Sequence, residues 1–159
     1  MARSKNPLVD DFLEVAVALT EQGGRASLRR ASLRRAVISA YYAVFHALCF
    51  VCASELVGWR KANDLIEPVY RMLDHGTAKN RLIGKDAASI SPVVRQIGTG
   101  FRNLQEARHD ADYRTPALEL PRGLTLQHIA ETRRIVDLVE ALPPEDRLKL
   151  AILLVTKAR

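Results

Sequence analysis

Apolar residues recur three and four apart along almost the whole chain, and the strict apolar–polar alternation of a half-buried strand is nearly absent. The spacing predicts about six helices. Asn6-Pro7 reads as an N-cap followed by proline at the first helical position, and Leu8, Phe12, Val15, Ala16 and Leu19 form the stripe behind it, ending at Gly23-Gly24. A second helix is expected from near Ser27 to about Val57, stopped by Gly58. A third covers about Lys61 to Asp74, with Pro68 demanding a kink or a late start. The stretch 75–87, "HGTAKNRLIGKDA", reads as a loop. Ser91-Pro92 opens a fourth helix that lasts to about Tyr113, with Gly98 and Gly100 in its middle as a sign of close packing against a neighbour. After a second loop, "RTPALELPRG", Thr125 is expected to cap a helix from Leu126 to Leu142. Pro143-Pro144 then separates off a last amphipathic helix carrying Leu148, Ala151, Ile152 and Val155.

The second helix differs from the rest. Val37, Tyr41, Val44, Leu48 and Val51 make one stripe, Ile38, Phe45, Cys49 and Cys52 another, and Arg35, Ser39, Tyr42 and His46 a third. A helix apolar nearly all round belongs at the centre of a bundle, and its polar groups must be paired there or line a cleft. It is introduced by a tandem pentapeptide, Ala-Ser-Leu-Arg-Arg twice over, whose four arginines spread over more than one helix face. A stripe aimed at phosphates would stay on one side. Leu28 to Leu33 also matches the substrate pattern of basophilic protein kinases at Ser32, but a kinase needs extended backbone and Ser32 is expected within a helix.

Length and composition point to one domain, 1–159, with its core over about 7–113 and C-terminal helices over about 125–157. A formal charge of +6 tilts the chain toward anionic partners without deciding for them. The apolar run from Ala36 to Val57 holds Ser39, Tyr41, Tyr42, His46, Ser54 and Glu55, so it reads as a buried helix and not as a membrane span. No apolar leader run is visible at the start, and a cytoplasmic protein without membrane attachment is expected. Cys49 and Cys52, with no second pair nearby, read as small buried apolar residues, and no metal or cofactor is expected.

Two segments carry a family resemblance. "LRRAVISAYYAVFHAL" (33–48) resembles the core helix of HEPN-domain proteins, with its Arg-Arg-Ala and Ala-Tyr-Tyr-Ala-x-Phe-His pattern, and "RHDADY" (108–113) is similar to an Arg-x-x-Ala-Asp-Tyr ending of a later helix in that superfamily. Asp74-His75-Gly76 stands where several members have a His-Gly or Ser-Gly turn. The resemblance implies an all-α, up-and-down helical bundle that commonly forms a homodimer. It also implies a role in nucleic-acid or nucleotide biology, as a binding or regulatory module beside a nucleotidyltransferase-type antitoxin in a toxin–antitoxin or defence system. Its cleft residues here would be Arg35, Tyr42, His46, Arg108, Asp112 and Tyr113.

Many HEPN proteins are metal-independent ribonucleases with an Arg-x(4–6)-His motif whose arginine is followed by a polar residue. Arg102, Asn103 and His109 fit that motif. Such cleavage needs a base for the 2′-hydroxyl and a cation for the crowded phosphate, roles that suit His109 and Arg102, with Asn103 orienting a neighbour. Arg102 and His109 share a helix face about 10 Å apart along the axis, which calls for a long arginine reach or a second subunit. The alternative is a surface pair of Arg102 with Glu106 and a histidine at the bundle edge.

Overall fold

The computed structural model describes residues 3–157. It is all-helical, with eight helices and no strand among the described residues: α1 (Pro7–Thr20), α2 (Ala26–Leu56), α3 (Asn63–Tyr70), α4 (His75–Ile83), α5 (Lys85–Ile90), α6 (Pro92–Tyr113), α7 (Arg122–Glu140) and α8 (Pro144–Val155). The caps explain most boundaries. Asn6 accepts from the N–H of Leu8 at 3.2 Å, with Pro7 in the first turn, and Ser91 accepts from the N–H of Val94 at 3.2 Å, with Pro92 in the same role. Gly58, at φ 106°, takes the left-handed turn that ends α2.

α2 is the centre, packed by α1, α3, α6, α7 and α8. Its residues Ala40, Tyr41, Ala43, Val44, Leu48, Cys52 and Ala53 are fully enclosed. Among the described residues it is the one helix long and apolar enough to cross a membrane, yet 78% of its most apolar window is buried inside the bundle. Its apolar surface is therefore already covered by protein. Cys49 and Cys52 lie in this core as free thiols, and burial pushes both up to about 12. Ser32 is also buried, at 5% exposed in the middle of a helical turn, which closes it to a kinase.

Three expectations are corrected. The segment 75–87 is not a loop: Asp74 accepts from the N–H of Thr77 at 2.8 Å and starts α4, Gly84 separates α4 from α5, and Ala78, Leu82 and Ala87 are buried. So few apolar positions make a weak period, and tertiary packing completes the helices. The third helix is shorter than expected, ending at Tyr70 and leaving 71–74 outside it, with Pro68 tolerated two residues before that end. Helix α7 begins at Arg122, so Thr125 is no N-cap; it is buried inside the first turn, its hydroxyl donating to the carbonyl of Pro121.

Several arginines are spent on the bundle itself. Arg34 donates to the carbonyls of Ala111, Arg114 and Thr115, closing the end of α6; Arg122 donates to the carbonyl of Thr20 at the end of α1; and Arg81 donates to the carbonyl of Thr156 beyond α8. Each places a guanidinium where a helix leaves its last carbonyls unpaired and its dipole is negative. Arg147 and Glu55, 2.6 Å apart, tie α8 to α2. Arg34→Ala is expected to cost about 1–3 kcal/mol, because three carbonyls lose one forked donor. Arg34→Lys should recover less than half of that, since an ammonium cannot serve the three at once. Urea denaturation of the pair checks this, and equal midpoints for lysine and wild type would refute it.

Candidate functional site

Three regions hold the polar chemistry. The first lies where α1, α2, α3, α4 and α6 meet. Phe12 stacks on Tyr42 (ring centroids 5.7 Å) and on His46 (5.2 Å), and Phe45 stacks on His75 at 4.0 Å. Two tyrosine–histidine pairs run through these rings: Tyr41 Oη to His75 Nδ1 at 2.6 Å, and Tyr70 Oη to His46 Nδ1 at 2.7 Å. The Asn6 amide donates to Tyr70 Oη at 3.0 Å, which leaves the phenolic proton for His46. Gln105 donates to the carbonyl of His75 at 3.1 Å, holding the start of α4 against α6. Above the rings, the Arg108 guanidinium sits 5.8 Å from Tyr41 and 5.9 Å from Tyr42, while its Nε pairs with Asp112 at 2.9 Å.

Burial sets the charge states. It holds the imidazole of His46 below the usual range, with nearby His75 adding to the effect. His75 is lowered by burial first and by Arg108 second, with Asp74 opposing. The phenol of Tyr41 is pushed well up by burial, against Arg108, and that of Tyr70 up to about 12. Neutral histidines already bonded at Nδ1 make a rigid joint; they offer no cation for a phosphate.

This joint gathers Tyr42, His46, Arg108 and Asp112 of the expected cleft, and it unites the two segments that carry the family resemblance. Arg35 and Tyr113 stay outside it: both are exposed, and Tyr113 lies against His109 with ring centroids 4.8 Å apart. Tyr41, Tyr70 and His75 belong to the joint and were not singled out for it from the sequence. Tyr41 falls on the neighbouring stripe of α2, Tyr70 closes a helix expected to run on to Asp74, and His75 falls in the segment expected as a loop.

The second region is the groove along α6 beside α4 and α5. One part, about 420 Å³, is lined by Lys85, Arg95, Thr99 and Arg102 over Leu82 and Ala88, with no carboxylate in its lining. Lys85, Arg95 and Arg102 have no ion-pair or hydrogen-bond partner for their side chains among the described residues, so Arg102 is not the expected partner of Glu106. A further depression of about 310 Å³ is lined by Lys79, Gln105, Glu106, His109 and Asp110. Arg102 and His109 thus line separate depressions on one helix, and Asn103 is exposed and lines neither.

The third region, about 760 Å³, lies between the start of α2 and residues 114–121. Among the described residues no group of three histidine, cysteine, aspartate or glutamate side chains is placed to hold a metal ion. No family model, no curated protein and no solved structure matches this chain.

Proposed function

We propose that this chain is a HEPN-like helical module that binds RNA through the α4–α6 groove, acting beside a nucleotidyltransferase-type partner and as a homodimer. The observation that carries the RNA-binding reading is the set of Lys85, Arg95 and Arg102, three unpaired cations in one depression without a carboxylate. A polyanion gains by releasing counterions there, whereas cations already paired inside a protein contribute little. The family assignment is supported by the two motif segments, 33–48 and 108–113, which meet where Arg108 covers Tyr41 and Tyr42.

Binding of a fluorescent single-stranded RNA across a salt series tests this. Each phosphate contact contributes about 0.7 to the salt slope for a single strand. Replacing Lys85, Arg95 and Arg102 together by glutamine should flatten the slope by about 2. An unchanged affinity and slope would refute the groove as the binding site.

A second reading is a metal-independent endoribonuclease toxin. It is favoured by Arg102 and His109 occupying one stripe of α6 and lining depressions on it, with His109 exposed. His109 would move the proton at the 2′-hydroxyl and Arg102 would hold the phosphate. Expression with growth and RNA integrity as readouts, wild type against His109→Ala, separates the readings. Cleavage lost in the variant supports the nuclease, and intact RNA in both supports the binding module.

A further inference from the structure

The groove between the start of α2 and residues 114–121 has chemistry unlike that of the α4–α6 groove. Its walls are mainly aliphatic, built from Ala31, Leu118, Leu120 and the two prolines 116 and 121, with Arg30 and Arg114 at its rim. Arg34 also lines it, but its guanidinium is committed to carbonyls at the end of α6. Glu119 lies in the lining, and no aromatic ring is there to stack on a base. An aliphatic floor without an aromatic ring gives the bases of a nucleic acid nothing to stack on.

The rim nevertheless asks for negative charge. From Gln22 to Ser54 the chain has no acidic residue, and Arg25, Arg30 and Arg35 are exposed without an ion pair among the described residues. Arg114 is only loosely held, 3.9 Å from Asp110 and largely exposed. The far wall supplies a third feature. Residues 114–121 are not helical, and the backbone N–H groups of Glu119 and Leu120 have no partner among the described residues. Free backbone groups beside an aliphatic floor are what an extended peptide pairs with.

We propose that this groove docks an extended segment of a partner protein in which acidic residues stand next to aliphatic ones. The aliphatic side chain enters between Ala31 and Leu118, the carboxylates meet Arg30 and Arg114, and the backbone pairs with Glu119 and Leu120. Arginine suits this task because its fork takes a carboxylate bidentately. The site is independent of RNA binding in the α4–α6 groove.

The test is panning of a phage-displayed random 12-residue peptide library on the folded full-length protein, followed by anisotropy with the enriched peptides. Enriched sequences should place Asp or Glu beside Leu, Ile or Val. Their affinity should fall at least tenfold for Arg30→Glu and for Leu118→Asp, with circular dichroism confirming that each variant folds. A peptide whose acidic residue is changed to lysine should regain affinity for Arg30→Glu. Enrichment of basic peptides, no enrichment, or peptides indifferent to both variants would overturn the proposal. So would single-stranded RNA losing affinity on Arg30→Glu while the peptides do not.

Discussion

Replacing Gly98 by alanine is expected to destabilise the protein by about 3 kcal/mol or more, at the upper end of the cost of overpacking. A Cβ there would run into the backbone of α4, lying against the carbonyl oxygen of Leu82 and 2.8 Å from its carbonyl carbon. Backbone cannot rotate out of the way, so α4 has to lift off α6. Helix propensity pulls the other way, favouring alanine by about 1 kcal/mol in a helix interior. The sign of the result therefore isolates the contact. Gly100 is a control: its Cβ would meet the end of the Ile135 side chain, with Cγ1 at 2.7 Å. That side chain can shift even though it is fully buried, and a loss of about 1–2 kcal/mol is expected. Since about 1 kcal/mol moves the midpoint by roughly 2–4 °C at this size, thermal unfolding should show a drop of about 6–12 °C for Gly98→Ala and about half that for Gly100→Ala. Equal midpoints for Gly98→Ala and wild type would mean that α4 does not sit on α6 in this way.

Acid should weaken the same corner of the fold. His46 and His75 are both held below the usual imidazole range, by burial first, with His75 adding to the effect at His46 and Arg108 at His75. The rings of Phe12, Tyr42, Phe45 and Tyr70 face His46, and those of Tyr41, Tyr42 and Phe45 face His75; of the charged groups near His75, Arg108 opposes its charge and Asp74 favours it. A lowered histidine leaves the native state with fewer bound protons than the unfolded chain. Stability is then complete above the unfolded value of about 6.5 and declines as pH falls below it toward the folded value. The limiting slope for two such groups is about 2.7 kcal/mol per pH unit, and partial solvent access keeps the real slope under that ceiling. His128, also lowered by burial, adds to the trend. Denaturant midpoints measured from pH 7.5 to pH 5 should fall, and the double variant His46→Gln, His75→Gln should show a clearly flatter profile. A wild-type profile level over that range would refute the linkage.

The parts of this fold that sequence reasoning placed well are those whose signal is local. Asn6-Pro7 and Ser91-Pro92 carry their own caps, Gly58 its own positive φ, and α2 an apolar surface on every side that only a central helix can bury. The glycines at 98 and 100 likewise announced close neighbours, which proved to be Leu82 and Ile135. What escaped was the stretch from 75 to 87, expected as a loop and folded into α4 and the first half of α5. Its three buried residues, Ala78, Leu82 and Ala87, are too few to give a period, and its helices are held by α6 and α8 and not by propensity. His75 went with it. Its place beside Tyr41 depends on Asp74 starting α4 at the right height, and nothing near His75 in the sequence encodes that height. The arginines misled for a similar reason. Arg34 and Arg35 look alike in a string of letters, yet one closes the end of α6 and the other is exposed, because the end of α6 lies on one side of α2 only.

The tandem pentapeptide gains a meaning from that difference. Deleting either copy of Ala-Ser-Leu-Arg-Arg leaves the same chain, in which the surviving copy runs directly into Ala36. The register of everything beyond it is held from the other side by the core, so Arg34 would keep its grip on α6. Asn6 reaches the carbonyl of His46, and α1 is 14 residues long, so α1 ends beside about residue 32, where the burial of α2 begins. Residues 26–31 overhang that end and are exposed. The copy number is thus a length gauge: it adds about 7.5 Å of helix per unit outside the core. Lineages of this chain could lengthen or shorten the overhang, and with it the groove beside Arg30, without renegotiating a single buried contact.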